Sequence, residues 1–355
     1  MNPVIDWKLA ATIAEGVAGL KPAPDSARFE HVAGPAEESA RLVAEYTGLR
    51  AETLPHAEPV DRPVWIQSNL ASLRKVLDPV AERLGGGMGP LGGVVSAAGG
   101  ALLAAEVGAI SGLLGQRVLG QYEFPILEPD APARLLFVSP NLAQAAITLE
   151  ADGDELLRWV ALHEITHALQ FGGVPWLRDH IAATVGELLG GLQVDPKRAF
   201  SLPDLTDLRG LVEKLREGDV TTLIVGPERR EALDRMQAFM AVLEGYAEHV
   251  MDVVGAQILP NLPQLRSALD RRRRDRSGLL RIFERLIGME LKLRQYEQGK
   301  RFCDGVVAAG GIAALNRVWE RPEQMPTLAE LDDPAAWLAR TGSAPSDAAP
   351  ALPRA

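Results

Sequence analysis

A single cysteine in 355 residues, Cys303, excludes an internal disulfide framework and fits a reducing compartment. It follows Phe302 and precedes an apolar stretch, so it reads as a packed core thiol rather than a nucleophile. Basic excess is missing too. With 37 Lys and Arg against 47 Asp and Glu, the net charge of -10 argues against a general nucleic-acid surface, which needs cations to neutralise phosphates. The one local basic run, Arg271 to Arg274 with Arg276, is flanked by Asp270 and Asp275 and reads as a solvated helix end. An uninterrupted apolar segment of secretory or membrane-spanning length is also lacking. Met1 to Leu20 carries Asp6, Lys8 and Glu15 and reads as an amphipathic helix. Gly85 to Gln116 holds one charge, Glu106, but owes its apolarity to glycine and alanine, which gain little from entering lipid. These absences together give the expectation of a cytoplasmic protein with no membrane span and no nucleic-acid partner.

Strand patterns are scarce, and what remains is helical. Apolar periodicity covers Ser39–Thr47, Val64–Leu84, Val94–Leu119, Glu155–Phe171, Leu177–Leu192, Arg229–Gln257, Gly278–Val307 and Ala335–Arg340. Between Pro132 and Pro140, Arg134–Val138 is a short apolar run that reads as a strand. The fold class is therefore mainly α with a short β element before the helix that contains residues 163–167. No proline- or glycine-rich joint is long enough to divide the chain, so 1–340 reads as one domain and 341–355, rich in Ala, Pro and Ser, as a disordered tail.

Two glycine patterns stand out near residue 100. Gly92, Ser96, Gly100, Ala104, Gly108 and Gly112 recur every four residues and line one helix edge with minimal bulk, predicting a buried helix wedged against another backbone. Gly87-Met88-Gly89-Pro90-Leu91-Gly92 matches a dinucleotide turn by its letters, but the sequence before it is helical where that turn requires a strand.

The chemistry concentrates at His163-Glu164-Ile165-Thr166-His167. Asp152 and Asp154 offer N-caps, Glu155 puts negative charge in the first turn, and Gly172-Gly173 before Pro175 provides a stop. On the helix so delimited, His163 and His167 are one turn apart on one face, and two imidazole nitrogens there can hold a zinc ion. Glu164 is displaced by about 100°, beside the metal, where a carboxylate can act as general base towards zinc-activated water. A catalytic zinc site normally uses three protein ligands. A third histidine six residues beyond the second is excluded, since Gly173 stands there. The better source is the later helix, where Glu244, Glu248 and Asp252 share a face that is costly to bury without a cation. Glu244 leads as third ligand, with Glu248 or Asp252 orienting a histidine from behind; Glu248, His249 and residues elsewhere remain alternatives. Tyr246, Tyr296, His180 and Arg178 are candidates for substrate contact or oxyanion stabilisation.

The run Trp159 to Phe171, followed by Val174-Pro175-Trp176-Leu177-Arg178, closely resembles a bacterial family of zincin-like hydrolases of unestablished substrate. One branch of that family is associated with biosynthesis of the deazaflavin coenzyme factor 420. Arg117–Tyr122, Leu243–Asp252, Lys292–Glu297 and Asn316–Glu320 extend the resemblance over most of the chain. It implies a zincin-like metallohydrolase core, a zinc cofactor and a peptide or small amide substrate, and by analogy with zincins it places the Arg134–Val138 strand along the cleft, where Leu135 to Val138 can pair with an extended peptide. The family's Leu-Glu-Gly maps onto Leu243, Glu244 and Gly245 and favours Glu244 as ligand. Two functions follow as expectations: a metallopeptidase or amidohydrolase, or a non-catalytic scaffold for binding or assembly linked to that coenzyme's biosynthesis.

Overall fold

The computed structural model describes residues 5–21, 23–85, 92–124, 131–190, 227–274 and 289–342. The dinucleotide-like turn up to Leu91, the start of the expected Gly278–Val307 helix, and the tail from 343 onward lie outside these residues. Helices dominate, with a small three-stranded sheet. None of the described helices is long and apolar enough to cross a membrane.

Strands β1 (Ala57–Val60), β2 (Gly120–Glu123) and β3 (Arg134–Val138) lie in the order β1-β3-β2, with β1 parallel and β2 antiparallel to β3. The apolar run of β3 is continuous because both of its faces are covered. Leu135 and Phe137 enter the main core, whereas Leu136 and Val138 enter a second cluster with Val60, Trp65, Ile66 and Leu70. This corrects one expectation. With both edges paired, β3 has no backbone groups left for an extended substrate, and the sheet edge nearest the site is β2.

The second cluster lies under helices α1 (Trp7–Gly19) and α3 (Arg62–Gly85). Helix α2 (Ala33–Thr47) packs instead on the main core, and α4 (Gly92–Gly115) lies along α1. The small-residue edge of α4 does what the spacing predicts. A Cβ at Gly108 would stand 2.5 Å from the Ala10 carbonyl oxygen, and one at Gly112 2.5 Å from that of Ala14. The opposite edge, however, is not wedged: Leu102 and Leu103 are exposed. The helix also stops at Gly115, short of Leu119, because the Asn141 side-chain amide takes the Gly115 and Val118 carbonyls as the chain turns into β2.

The main core is built on α5 (Ser139–Leu149), α6 (Gly153–Gly173), α7 (Leu177–Gly190), α8 (Pro227–Ile258), α9 (Leu262–Arg274) and α10 (Met289–Leu315). Helix α6 begins where the caps predict: the Asp152 carboxylate accepts from the backbone N–H groups of Asp154 and Glu155, an arrangement that contributes about 1 kcal/mol. Helix α8 crosses α10 at Gly245 and Gly299, where a Cβ on Gly299 would lie 1.9 Å from the Ala241 carbonyl oxygen. Two short helices, α11 (Leu328–Leu331) and α12 (Pro334–Arg340), close the base of α10. Cys303 is fully buried, and burial raises its thiol pKa far above the ordinary value, as befits a core residue.

Candidate metal centre

Helix α6 carries His163 and His167 on the face that meets α8, and α8 presents Glu244 to them. The two Nε2 atoms are 3.1 Å apart, and Glu244 Oε2 lies 3.7 Å from His163 Nε2 and 3.6 Å from His167 Nε2. Four tetrahedral zinc ligands at roughly 2.0–2.1 Å are separated from one another by roughly 3.3–3.4 Å, so this triangle fits the ion closely. Among the described residues, this is the group of three His, Cys, Asp or Glu side chains whose ligand atoms converge within 4.8 Å. The pocket is only partly open: the side chain of His163 is 24% exposed, that of Glu244 15% and that of His167 11%.

The orientation of each imidazole is set from behind. Gln170, one turn beyond His167 and fully buried, donates from Nε2 to the Leu243 carbonyl, which fixes its amide so that Oε1 accepts from His167 Nδ1 at 2.9 Å. That leaves the His167 Nε2 lone pair facing Glu244. His163 Nδ1 meets the Met251 thioether sulfur at 3.3 Å, a weaker acceptor, and so also turns Nε2 inward. Two lone pairs converging at 3.1 Å repel unless a cation or proton lies between them. Without a metal, burial pulls the His167 pKa down, but the Glu244 and Glu164 carboxylates and the Gln170 bond outweigh it and raise it to about 9.

Glu164, on the same helix, turns towards the sheet. Its Oε2 accepts from the Tyr122 backbone N–H of β2 at 2.7 Å. The approach is close enough that a Cβ at Gly120 would stand 2.9 Å from Glu164 Cγ and 2.7 Å from Val160 Cγ1, so β2 can reach the carboxylate only with glycine there. Beyond it, the Tyr122 ring stacks on Phe171 at 5.9 Å, and its hydroxyl accepts from Arg178 Nη2 at 2.9 Å.

Other residues singled out in the sequence are placed elsewhere. Glu248 and Asp252 are ion-paired with Arg266 on α9, and Asp252 also with Lys300 on α10, so the carboxylate face is neutralised by arginine and lysine rather than by a shared metal. Behind the histidines of the triad stand Gln170 and Met251. His249 is buried between the Tyr46 hydroxyl and the Asp304 carboxylate, each 2.7 Å away, on the far side of α8. The Tyr246 ring is packed on Trp319 with its hydroxyl donated to Asn316. His180 lies edge-on to Trp176 and beside Phe239, where burial and then Arg235 lower its pKa. Tyr296 has its backbone in α10, but its side chain lies outside those described. Residue spacing alone gave no sign of Gln170, Tyr122 or Gly120, although Gln170 sits one turn from His167 and could have been sought there.

A family model described as zincin-like metallopeptidase matches residues 5–338. The chain belongs to the zincin-like metallopeptidase family. Its fold is also that of a solved protein from Chloroflexus aurantiacus, described as a candidate hydrolase with a novel fold. The two share 30% identity with a TM-score of 0.72, over 95% of this chain and 99% of that one. No curated protein matches the chain. For a family of metallopeptidase type, the converging His163, His167 and Glu244 are the group suited to a zinc ion.

Proposed function

We propose that this zincin-like protein is a zinc-dependent hydrolase of a peptide or small amide, with His163, His167 and Glu244 holding the metal and Glu164 as general base. The observation that carries this reading is the ligand triangle with Glu164 beside it. Zinc at such a position supplies Lewis acidity, polarising a carbonyl oxygen and acidifying water. The remaining work falls to the chain. Tyr122 N–H holds Glu164 Oε2, so Oε1 is the oxygen that takes a proton from the attacking water and passes it to the leaving amine. Gln170 and Met251 keep both imidazoles in the tautomer whose Nε2 is free to bind. Burial of the helix face around the histidines excludes bulk water and strengthens each polar contact.

The purified protein should hold about one zinc per chain, and Glu164→Gln should keep that zinc while lowering metal-dependent peptide cleavage by about 10²-fold or more. Elemental analysis with a peptide-library cleavage assay makes the measurement, and a variant as active as the wild type would sink the reading. The second reading, a scaffold linked to deazaflavin coenzyme biosynthesis, needs no proton acceptor at Glu164. It predicts that Glu164→Gln changes neither partner binding nor assembly.

A further inference from the structure

Among the described residues, Arg178 is a cation without a counter-ion, at the end of a wall that begins at the proposed general base. From Glu164 the wall runs through the Tyr122 backbone N–H, along the Tyr122 ring stacked on Phe171, to the Tyr122 hydroxyl and the Arg178 guanidinium. Phe171 lies one turn beyond His167, so this wall follows the metal-bearing helix. The guanidinium also lies over the Phe124 ring, 5.7 Å from its centroid.

The donor inventory of Arg178 is unbalanced. A guanidinium offers five N–H groups. Nη2 is held by a neutral hydroxyl, Nε is sealed from solvent without an acceptor, and among the described residues Nη1 has no acceptor and no carboxylate is paired with the group. Other partly covered arginines contrast with it: Arg266 is paired with Glu248 and Asp252, Arg134 with Glu58, and Arg158 with Glu38. Arg62, with no carboxylate among the described residues and its Nη2 also unpartnered, is nevertheless met at Nε and Nη1 by Asn141 and the Ala18 and Lys21 carbonyls. A half-covered positive charge met only by one hydroxyl and a ring face costs stability, and an apolar side chain would pack on Phe124 as well. Tyr122 meets Glu164 through its backbone N–H and Arg178 through its hydroxyl, so the length of its side chain lies between the two contacts and suits Arg178 to a group beside the scissile bond.

We propose that Arg178 binds a carboxylate carried by the substrate, making this a hydrolase of peptides or amides with a free carboxylate about one residue from the scissile bond. A carboxylate received end-on by the guanidinium supplies the missing counter-charge through charge-assisted bonds. Tyr122 holds the guanidinium in place while its own backbone holds the base, so recognition and proton transfer share one residue. The assignment rests on the hydrolase reading above.

The test uses the zinc-loaded protein and hydroxamate probes, which need no turnover. Monohydroxamates of the dicarboxylic acids from succinic to suberic are compared by calorimetry with their neutral terminal amides, on wild type, Arg178→Gln and Arg178→Lys. At one chain length the carboxylate should bind about tenfold tighter than its amide in the wild type. Arg178→Gln should abolish that advantage, leaving the amide's affinity unchanged, and Arg178→Lys should restore part of it. An advantage absent at every length, or one surviving in Arg178→Gln, overturns the proposal. If no hydroxamate binds at all, the hydrolase reading itself fails and takes this one with it. Acetylated peptides bound to zinc-loaded Glu164→Gln distinguish the two sources of the carboxylate. Preference for a free C-terminus over its amide marks a carboxypeptidase-like site, and preference for an internal glutamate in amidated peptides marks an acidic side chain. Equal binding of all three overturns the assignment.

Discussion

Gln170 makes the candidate metal centre more than three converging side chains. A neutral amide oxygen behind His167 fixes its tautomer, and the same amide ties α6 to the carbonyl of Leu243, the residue before Glu244. Replacing it with leucine keeps the volume but leaves His167 Nδ1 unpaired and removes the side-chain tie between α6 and the Leu243 carbonyl. Gln170→Leu should lower zinc affinity by about 10- to 100-fold, measured by competition with a chromophoric chelator. An unchanged affinity would show that packing alone orients the imidazole. Residues at this scale were unevenly legible in the sequence. His163, Glu164 and His167 could be read because helical periodicity fixes their relative angles whatever the surroundings. The carboxylates of Glu248 and Asp252 were misread because their partners, Arg266 and Lys300, come from other helices, which no spacing along α8 reveals.

The crossing of α8 and α10 sets where Glu244 stands. Gly245 follows Glu244 directly, and a Cβ on it would fall 2.2 Å from the Gly299 carbonyl carbon, so the two backbones touch behind the candidate site. Gly299→Ala should destabilise the fold by about 3 kcal/mol, the upper end of overpacking costs, because neither contact atom is a flexible side chain. Gly16→Ala on α1, where nothing lies within 4 Å of the added methyl, should stabilise by about 0.5–1 kcal/mol. Urea unfolding of both variants checks the pair, and similar behaviour would refute the close-approach explanation. Elements were legible where periodicity is long, as in α6 and α8. Strands β1 and β2 were not: β1 contains Pro59, and Gly-Gln-Tyr-Glu in β2 has no apolar alternation, so both exist only because β3 gives them a partner.

Across the whole molecule, a metal held as proposed would clasp α6 to α8, and protons would compete for the site. In the metal-free protein, His167 has a pKa raised from 6.5 to about 9, so its protonated form stabilises the fold fully below pH 6.5, and this contribution is lost as pH rises through about 9. Zinc must displace that proton. Zinc affinity should therefore climb about tenfold per pH unit between pH 6.5 and 9, while the thermal midpoint of the chelator-treated protein falls over the same window. Chelator competition and thermal melts at a series of pH values measure both, and a zinc affinity flat across that range contradicts the proton assignment.

Strand β2 is the sheet edge beside the site, and edges invite a visiting chain to join the ladder. Here one rung is already occupied, since the Tyr122 amide proton belongs to Glu164. A peptide laid along β2 would have to skip that rung or evict the base from its support. The strand thus works as a bracket for the protein's own side chain before it can serve as a track for a guest, and selection among guests passes to side chains that line the way.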